Sequence, residues 1–466
     1  MSSLGTALLS TLVIGIAYPV YLHFLGYEQY GLWLVLSTVL IMAQLGNLGL
    51  SPALLKLVAE DFAAGDVDGV YKYISCGVLS LALSGIVLMC GVLLLRRPLI
   101  AIFGIGGPNA EMAYILLPYV GILSVYVLMA DALNSVVAGL GRYDLVGYSQ
   151  LTGQFLTVVG AVVLFKLHCG VWSLLIANAA SALFLNVLSL VLIRRITHSG
   201  SWLRFTWDRQ RFRRILNFGF WVFGSSILYT AFNPLNKLFV TRFAGIAAVP
   251  IYDISFATSF KIRSFFESGF RSLTPEFSRL NAVRPQEAQD RLASADRKGL
   301  KVVLYAGTLL YLVVFLFCGW GLQVWLRGRF RPELPSVFRI MLLGSYLSLW
   351  GVQPWYSLLG FGRSAHILVA NLVMVVSNIC FVLAWPLLLT RPATLTTVTI
   401  GTAVGILVST LYLRWQGARL RKDLATQAPQ VTRLAHQVRF PAPRSPCTAP
   451  QTNPPTAYRT SSHPDS

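Results

Sequence analysis

The sequence predicts an all-α polytopic membrane protein, with about twelve transmembrane helices in two six-helix lobes related by an internal parallel repeat. Three observations carry that prediction. The first is composition. Of the 466 residues, 55% are hydrophobic and 12% charged, with mean hydropathy +0.64, whereas a soluble domain carries about 25% charge. The second is the position of the charges, which fall between long apolar runs such as 32–45, 73–95 and 115–129. The third is duplication. Gly139-Leu140-Gly141-Arg142 returns as Gly360-Phe361-Gly362-Arg363, and Gly46, Pro52, Lys56 and Leu57 return with the same spacing as Gly269, Pro275, Arg279 and Leu280. Leu25-Gly26 ahead of Tyr30 has a looser echo in Ala244-Gly245 ahead of Tyr252. A duplicated, mostly apolar chain is the signature of a membrane transporter built from two halves.

The spans fall at 4–24, 31–56, 73–95, 112–138, 148–167, 171–193, 215–240, 247–273, 300–326, 337–359, 366–388 and 393–414, each near the ~20 residues that cross a bilayer. The first begins almost at Met1 with no small-residue processing site, so it reads as a span rather than a cleaved signal. Pro19, Pro52, Pro234 and Pro275 mark kinks or hinges. The eighth span is the weakest by hydropathy and is kept because its repeat counterpart, 31–56, plainly spans. Lys and Arg gather in the connections at 194–214 and 274–299, while 25–30, 168–170 and 389–392 are short and nearly uncharged. That bias puts both termini in the cytoplasm. The loop 327–336, with Arg327, Arg329 and Arg331, runs against it. Six spans per half is an even number, so both halves enter the membrane in the same direction, about an axis along its normal. The resulting units are an N-terminal lobe (1–198), a basic cytoplasmic linker (199–214), a C-terminal lobe (215–415) and a basic cytoplasmic tail (416–466). The tail holds too little apolar surface to offset ordering entropy and reads as disordered.

Several function classes drop out. The formal charge of +20 is explained by cytoplasmic Lys and Arg rather than by nucleic acid. The six cysteines show no metal-ligand spacing and read as small buried hydrophobes. His23, His168, His198 and His366 are isolated, and no Ser-His-Asp, His-Cys or paired-carboxylate pattern is visible. No catalytic residue, metal or cofactor is therefore expected. The Gly-x-Gly-Arg turns close helices and lack a following Lys-Ser/Thr, so they are not phosphate loops.

The charges of the eighth span stand out. At about 100° per residue, Asp253, Lys261, Arg263, Glu267 and Arg271 share one arc of about 160°. Charges at bilayer depth persist mainly where they face a wet cavity or one another. Glu267 is placed to pair with Arg263 or Arg271, and Lys237 and Arg242 near the end of the preceding span add positive charge. A positive lining suits an anionic group such as a pyrophosphate. The competing reading is an interfacial amphipathic helix with its basic face toward headgroups; the repeat favours the cavity. Lys261, Arg263, Arg271, Lys237 and Arg242 are the candidate substrate-binding residues, and Asp253, Glu267 and Asp131 the candidates for ion coupling or charge pairing. Asp131, beside Asn134, serves either in such a role or as an ordinary residue near the cytoplasmic end of span four.

Leu25-Gly26-Tyr27-Glu28-Gln29-Tyr30-Gly31-Leu32-Trp33, then Leu48-Gly49-Leu50, Lys56 and Ala63-Ala64-Gly65-Asp66, resemble the opening of O-antigen-type polysaccharide flippases. These belong to the multidrug/oligosaccharidyl-lipid/polysaccharide exporter superfamily. Gly139-Leu140-Gly141-Arg142, Phe218-Gly219 and Gly245 with Tyr252 resemble later landmarks. The resemblance covers roughly residues 4–415 and departs from the family in two places. A polar lead-in is missing, and the acidic–basic pair expected late in span seven reads Asn236-Lys237. It implies a bacterial inner-membrane protein that flips an undecaprenyl-pyrophosphate-linked oligosaccharide by alternating access through a cationic cavity, with other polysaccharide assembly proteins as candidate partners. Two alternatives stand beside it. One is a multidrug/cation antiporter of the same architecture, for which an acidic cavity is expected. The other is a membrane-embedded polysaccharide polymerase or ligase, for which the external loops are short.

Overall fold

The computed structural model describes residues 3–47, 49–197, 208–270, 273, 277, 285–389 and 392–437. Every regular element among them is helical. In chain order these are α1 (Ser3–Ala43), α2 (Leu50–Ala63), α3 (Val67–Phe103), α4 (Pro108–Gly139), α5 (Tyr143–Lys166), α6 (Trp172–Thr197), α7 (Arg209–Ala244) and α8 (Val249–Phe270). They continue as α9 (Pro285–Val302), α10 (Thr308–Leu326), α11 (Leu334–Gly360), α12 (Ser364–Leu389) and α13 (Leu395–Gln437). A π-helical turn, Val303–Gly307, joins α9 to α10.

The fold is all-α and polytopic. By length and composition, 8 helices among the described residues are long and apolar enough to cross a membrane, against about twelve spans expected. The difference has identifiable sources. α1 holds the first span and the start of the second, bent at Gly26. The remainder of the second span is set off by a 3-10 turn, Gln44–Asn47, and by Gly49 at φ 75°. α7, α8 and α11 fall outside the apolar set; α7 and α8 carry the polar interior described below. At the far end, α13 runs to Gln437, past residue 416 where the sequence suggested a disordered tail. α7 begins at Arg209, with the Asp208 carboxylate accepting from the amides of Gln210 and Arg211.

The repeat has a backbone counterpart. Gly26 (φ 68°, ψ −177°) and Gly245 (φ 83°, ψ 165°) bend the chain in the same way, in a region open to glycine. Gly141 and Gly362, at φ 83° and 73°, end α4 and α11 alike. In each case the glycine amide and the following arginine amide bond back to the last turn of the helix, closing its orphan carbonyls.

Helices α1 to α6 pack among themselves, with α4 contacting each of the others, and α7, α8 and α10 to α13 form a second group around α11 and α13. α7 touches both groups, and α8 also meets α1. The largest core cluster crosses from one group to the other. The crossing is tightest at Gly31, where a Cβ would lie 2.1 Å from the Ile246 carbonyl oxygen. Near the Gly26 bend, Trp325 Nε1 donates to the Gly15 carbonyl, Arg329 donates to the His23 carbonyl, and Arg331 lies over the Tyr27 ring. Two arginines of the loop that broke the charge rule are thus engaged by α1. At the opposite end Arg211 of α7 is held by Asp61, Asp66 and the Gly69 carbonyl and lies over the Tyr73 ring.

Candidate functional site

Where α1, α7 and α8 converge, the membrane interior holds a charged cluster. Lys237 of α7 and Asp253 of α8 are 3% and 6% exposed. They meet because Gly245 folds α8 back beside α7. Lys237 Nζ lies 2.7 Å from Asp253 Oδ1, and the Tyr18 hydroxyl donates to Asp253 Oδ2 at 3.0 Å. One helical position away, Asn236 Oδ1 accepts from Asn378 and Thr402 at 2.8 and 3.0 Å, and Asn236 Nδ2 donates to the Phe232 carbonyl. Each charge offsets part of the other's desolvation cost, and the hydrogen bonds occupy remaining polar atoms.

A cavity of about 330 Å³ opens among helices of the second group, with Ile41 of α1 also in its lining. Phe232, Phe256, Phe260 and Trp355 give it an aromatic wall, and Asn233 and Asn371 add amides. Arg263 is the cation in that wall. Its Nη1 lies 3.7 Å from Glu267 Oε2 on the next turn of α8, and its guanidinium sits 5.6 Å from the Phe260 ring centroid. Among the described residues, the buried Arg263 Nε has no hydrogen-bond partner, and neither does Asn233 Oδ1. Glu267 Oε1 accepts from the Tyr356 hydroxyl at 2.8 Å. The arrangement presents a partly neutralised cation with an open donor, beside rings and amides.

The expected charged stripe is therefore divided among different surroundings. Arg263 lines the cavity, while Lys261 is half-buried on α8 and is not part of the wall. Lys237 was expected to face the substrate; its ammonium is engaged by Asp253 instead. Arg242, near the end of α7, is exposed and lies against the turn at Gly104, away from the cavity. Asp131 is half-buried on α4 in the other group. Arg271 lies outside the described residues. Sequence reasoning missed Tyr18, Tyr356 and the aromatic wall, because single aromatic residues in apolar spans read as ordinary core. The amides Asn233 and Asn371 inside apolar runs were the available signal.

The family profile described as "Polysaccharide biosynthesis protein" matches residues 23–325, more than half of the chain. The chain belongs to the polysaccharide biosynthesis protein family. No curated protein sequence matches this family member. Among solved structures, its fold is similar to a multidrug resistance MATE family transporter of the MOP superfamily in an inward-facing conformation, with TM-score 0.67, 16% identity and coverage of 90% of this chain and 96% of that one. The outward-facing conformation of such a transporter gives TM-score 0.60 at 17% identity, covering 90% and 94%. A MATE protein in complex with MaL6 gives 0.58 at 17%, covering 90% and 97%. The polysaccharide biosynthesis family member thus has a fold similar to that of the MATE-family transporters.

Proposed function

We propose that the protein moves a polyprenyl-pyrophosphate-linked oligosaccharide across the bacterial inner membrane by alternating access between two six-helix lobes. The observation that carries this reading is Arg263, a cation with an unpaired Nε in the wall of an interior cavity, in a chain of the polysaccharide biosynthesis family. A guanidinium offers forked donors to phosphate oxygens. The aromatic and amide wall suits sugar faces and hydroxyls, while the polyprenyl chain stays in lipid. The matched bends at Gly26 and Gly245 and the matched helix ends at Gly141 and Gly362 support two parallel six-span copies, and the Lys and Arg bias of the connections favours both termini in the cytoplasm. Lys261 and Arg271 are further contacts for the passing anion, and Glu267 and Asp131 are the carboxylates proposed for ion coupling.

The test is flipping of a fluorescent polyprenyl-pyrophosphate oligosaccharide in proteoliposomes. Arg263→Ala lowers the rate at least about tenfold, as expected for the loss of a charged hydrogen bond, and Arg263→Lys recovers part of it. An unchanged rate in the alanine variant refutes the assignment. A second reading, multidrug export, is favoured by the similarity to multidrug MATE structures and by the aromatic wall next to Glu267. Drug resistance on overexpression with unaltered surface glycans would select it.

A further inference from the structure

The corner between α10 and α11 meets α1 at the two places where the backbone ladder of α1 is broken. Pro19 has no N–H, so the Gly15 carbonyl four residues earlier lacks its helical donor. Trp325 Nε1, in the last turn of α10, donates to that carbonyl at 2.8 Å. Gly26 bends the helix, and carbonyls in the turn before such a break need donors from elsewhere. Arg329 donates to the His23 carbonyl at 2.9 Å. In return, the Tyr27 hydroxyl donates to the Arg329 carbonyl at 2.6 Å, and the Arg331 guanidinium lies 4.4 Å from the Tyr27 ring centroid.

Each side of this junction is fixed in its own helix group. Glu28 accepts from Asn109 of α4 at 2.7 Å, and Phe24 stacks on Phe165 of α5, so the bend belongs to the first group. Tyr311 of α10 accepts from Ser345 of α11 at 3.0 Å, which ties the corner to the second. Between them Arg327 has φ 47° and ψ −124°. A side chain at such a position is strained and persists only while its surroundings hold it.

We propose that the α10–α11 corner is a latch that holds the Gly26 end of the seam between the two groups closed, and that it is released when they part on that side. The inference rests on the alternating access proposed above. The chemistry suits a closure that reopens. Its acceptors are neutral carbonyls, and Arg329 is exposed, so release returns a guanidinium to water without stranding a buried charge. Strain at Arg327 favours release further. The three arginines that run against the charge rule gain a purpose, since two of them close the junction.

Distances between two spin labels, measured by pulsed electron paramagnetic resonance on the full chain with its native cysteines replaced by alanine, test the latch. Labels at Gly106→Cys, in the α3–α4 connection, and Pro392→Cys, ahead of α13, sit at exposed positions at the Gly26 end of the two groups. The otherwise unaltered protein is expected to give mainly a short distance. Y27F/W325F/R329Q removes three hydrogen bonds while keeping the rings. Even at the weak end of their usual range, three such bonds raise the long-distance fraction about tenfold. R329Q alone, at an exposed position, is expected to raise it at least about twofold. Arg339→Gln, an exposed cation of α11 that lies over Phe315, is expected to leave the distribution unchanged. An unchanged distribution in either latch variant, an equal shift in the Arg339 variant, or a long distance already dominant without them overturns the proposal. Because no substrate is needed for the readout, a protein whose latch variants open yet which flips no glycan lipid refutes the transport reading and not the latch.

Discussion

The buried pair between Lys237 and Asp253 gives a quantitative prediction. The ion-pair distance is 2.7 Å and the two side chains are only 4% and 9% exposed. Replacing Lys237 by Met keeps the volume and removes the charge, leaving Asp253 with the Tyr18 hydroxyl alone. Breaking a buried pair from one side costs about 3–5 kcal/mol, since an uncompensated charge stays behind. The surviving Tyr18 bond puts this case near the lower end, about 3 kcal/mol. The double variant K237M/D253N removes both charges and still offers Tyr18 an acceptor, so it should lie within about 1 kcal/mol of the unmodified protein. The coupling read from the cycle is then at least about 2 kcal/mol, far above the few tenths found for independent sites. Unfolding in mixed micelles, followed by tryptophan fluorescence, measures all four proteins. A single variant within about 0.5 kcal/mol of the unmodified protein, or a strictly additive double variant, would refute the reasoning.

Other expectations follow from the backbone and the helix ends. Gly31→Val places a side chain where a Cβ already falls 2.1 Å from the Ile246 carbonyl oxygen, and should cost about 1–3 kcal/mol by overpacking; an unchanged melting temperature would count against the close crossing. Gly141→Ala and Gly362→Ala should each cost about 1–2 kcal/mol because both positions are left-handed, and similar losses at the two sites are the specific expectation. The Gly69 amide, with Arg211 adding to it, holds the Asp66 carboxyl below its ordinary value. A lowered carboxylate pKa adds stability above the unfolded value, and that stability is lost as pH falls through the folded one. The turn between α2 and α3 should therefore loosen below about pH 3.8, the ordinary value. Hydrogen exchange at Gly69 and Val70, corrected for intrinsic rates, should rise there, and flat protection would refute the cap.

Much of the architecture was legible because the bilayer forces long apolar runs and because glycine with positive φ leaves a mark in the sequence. The echoes at Gly26 and Gly245, and at Gly141 and Gly362, were read from residue identity and return as matching backbone geometry. The site was less legible. A helical wheel places charges around a single axis, and it carries no information about which neighbouring helix each charge will meet. Asp253 and Arg263 share an arc on α8, yet one faces Lys237 and Tyr18 while the other faces a cavity. Hydropathy alone was weakest for the eighth span, α8, where the charges lower the mean, and only its repeat counterpart kept it. The length of α13 could not be read, because its last turns hold only scattered apolar residues (Leu424, Val431 and Leu434) around Pro429.

The Tyr18–Asp253 hydrogen bond divides the labour at the seam between the helix groups. Lys237 and Asp253 both belong to the second group, whereas Tyr18 belongs to the first. Within this cluster, a separation of the two groups would leave the charged couple together and part only the Tyr18 hydroxyl from its acceptor. In the alternating access proposed above, Lys237 would therefore keep its counterion through the motion.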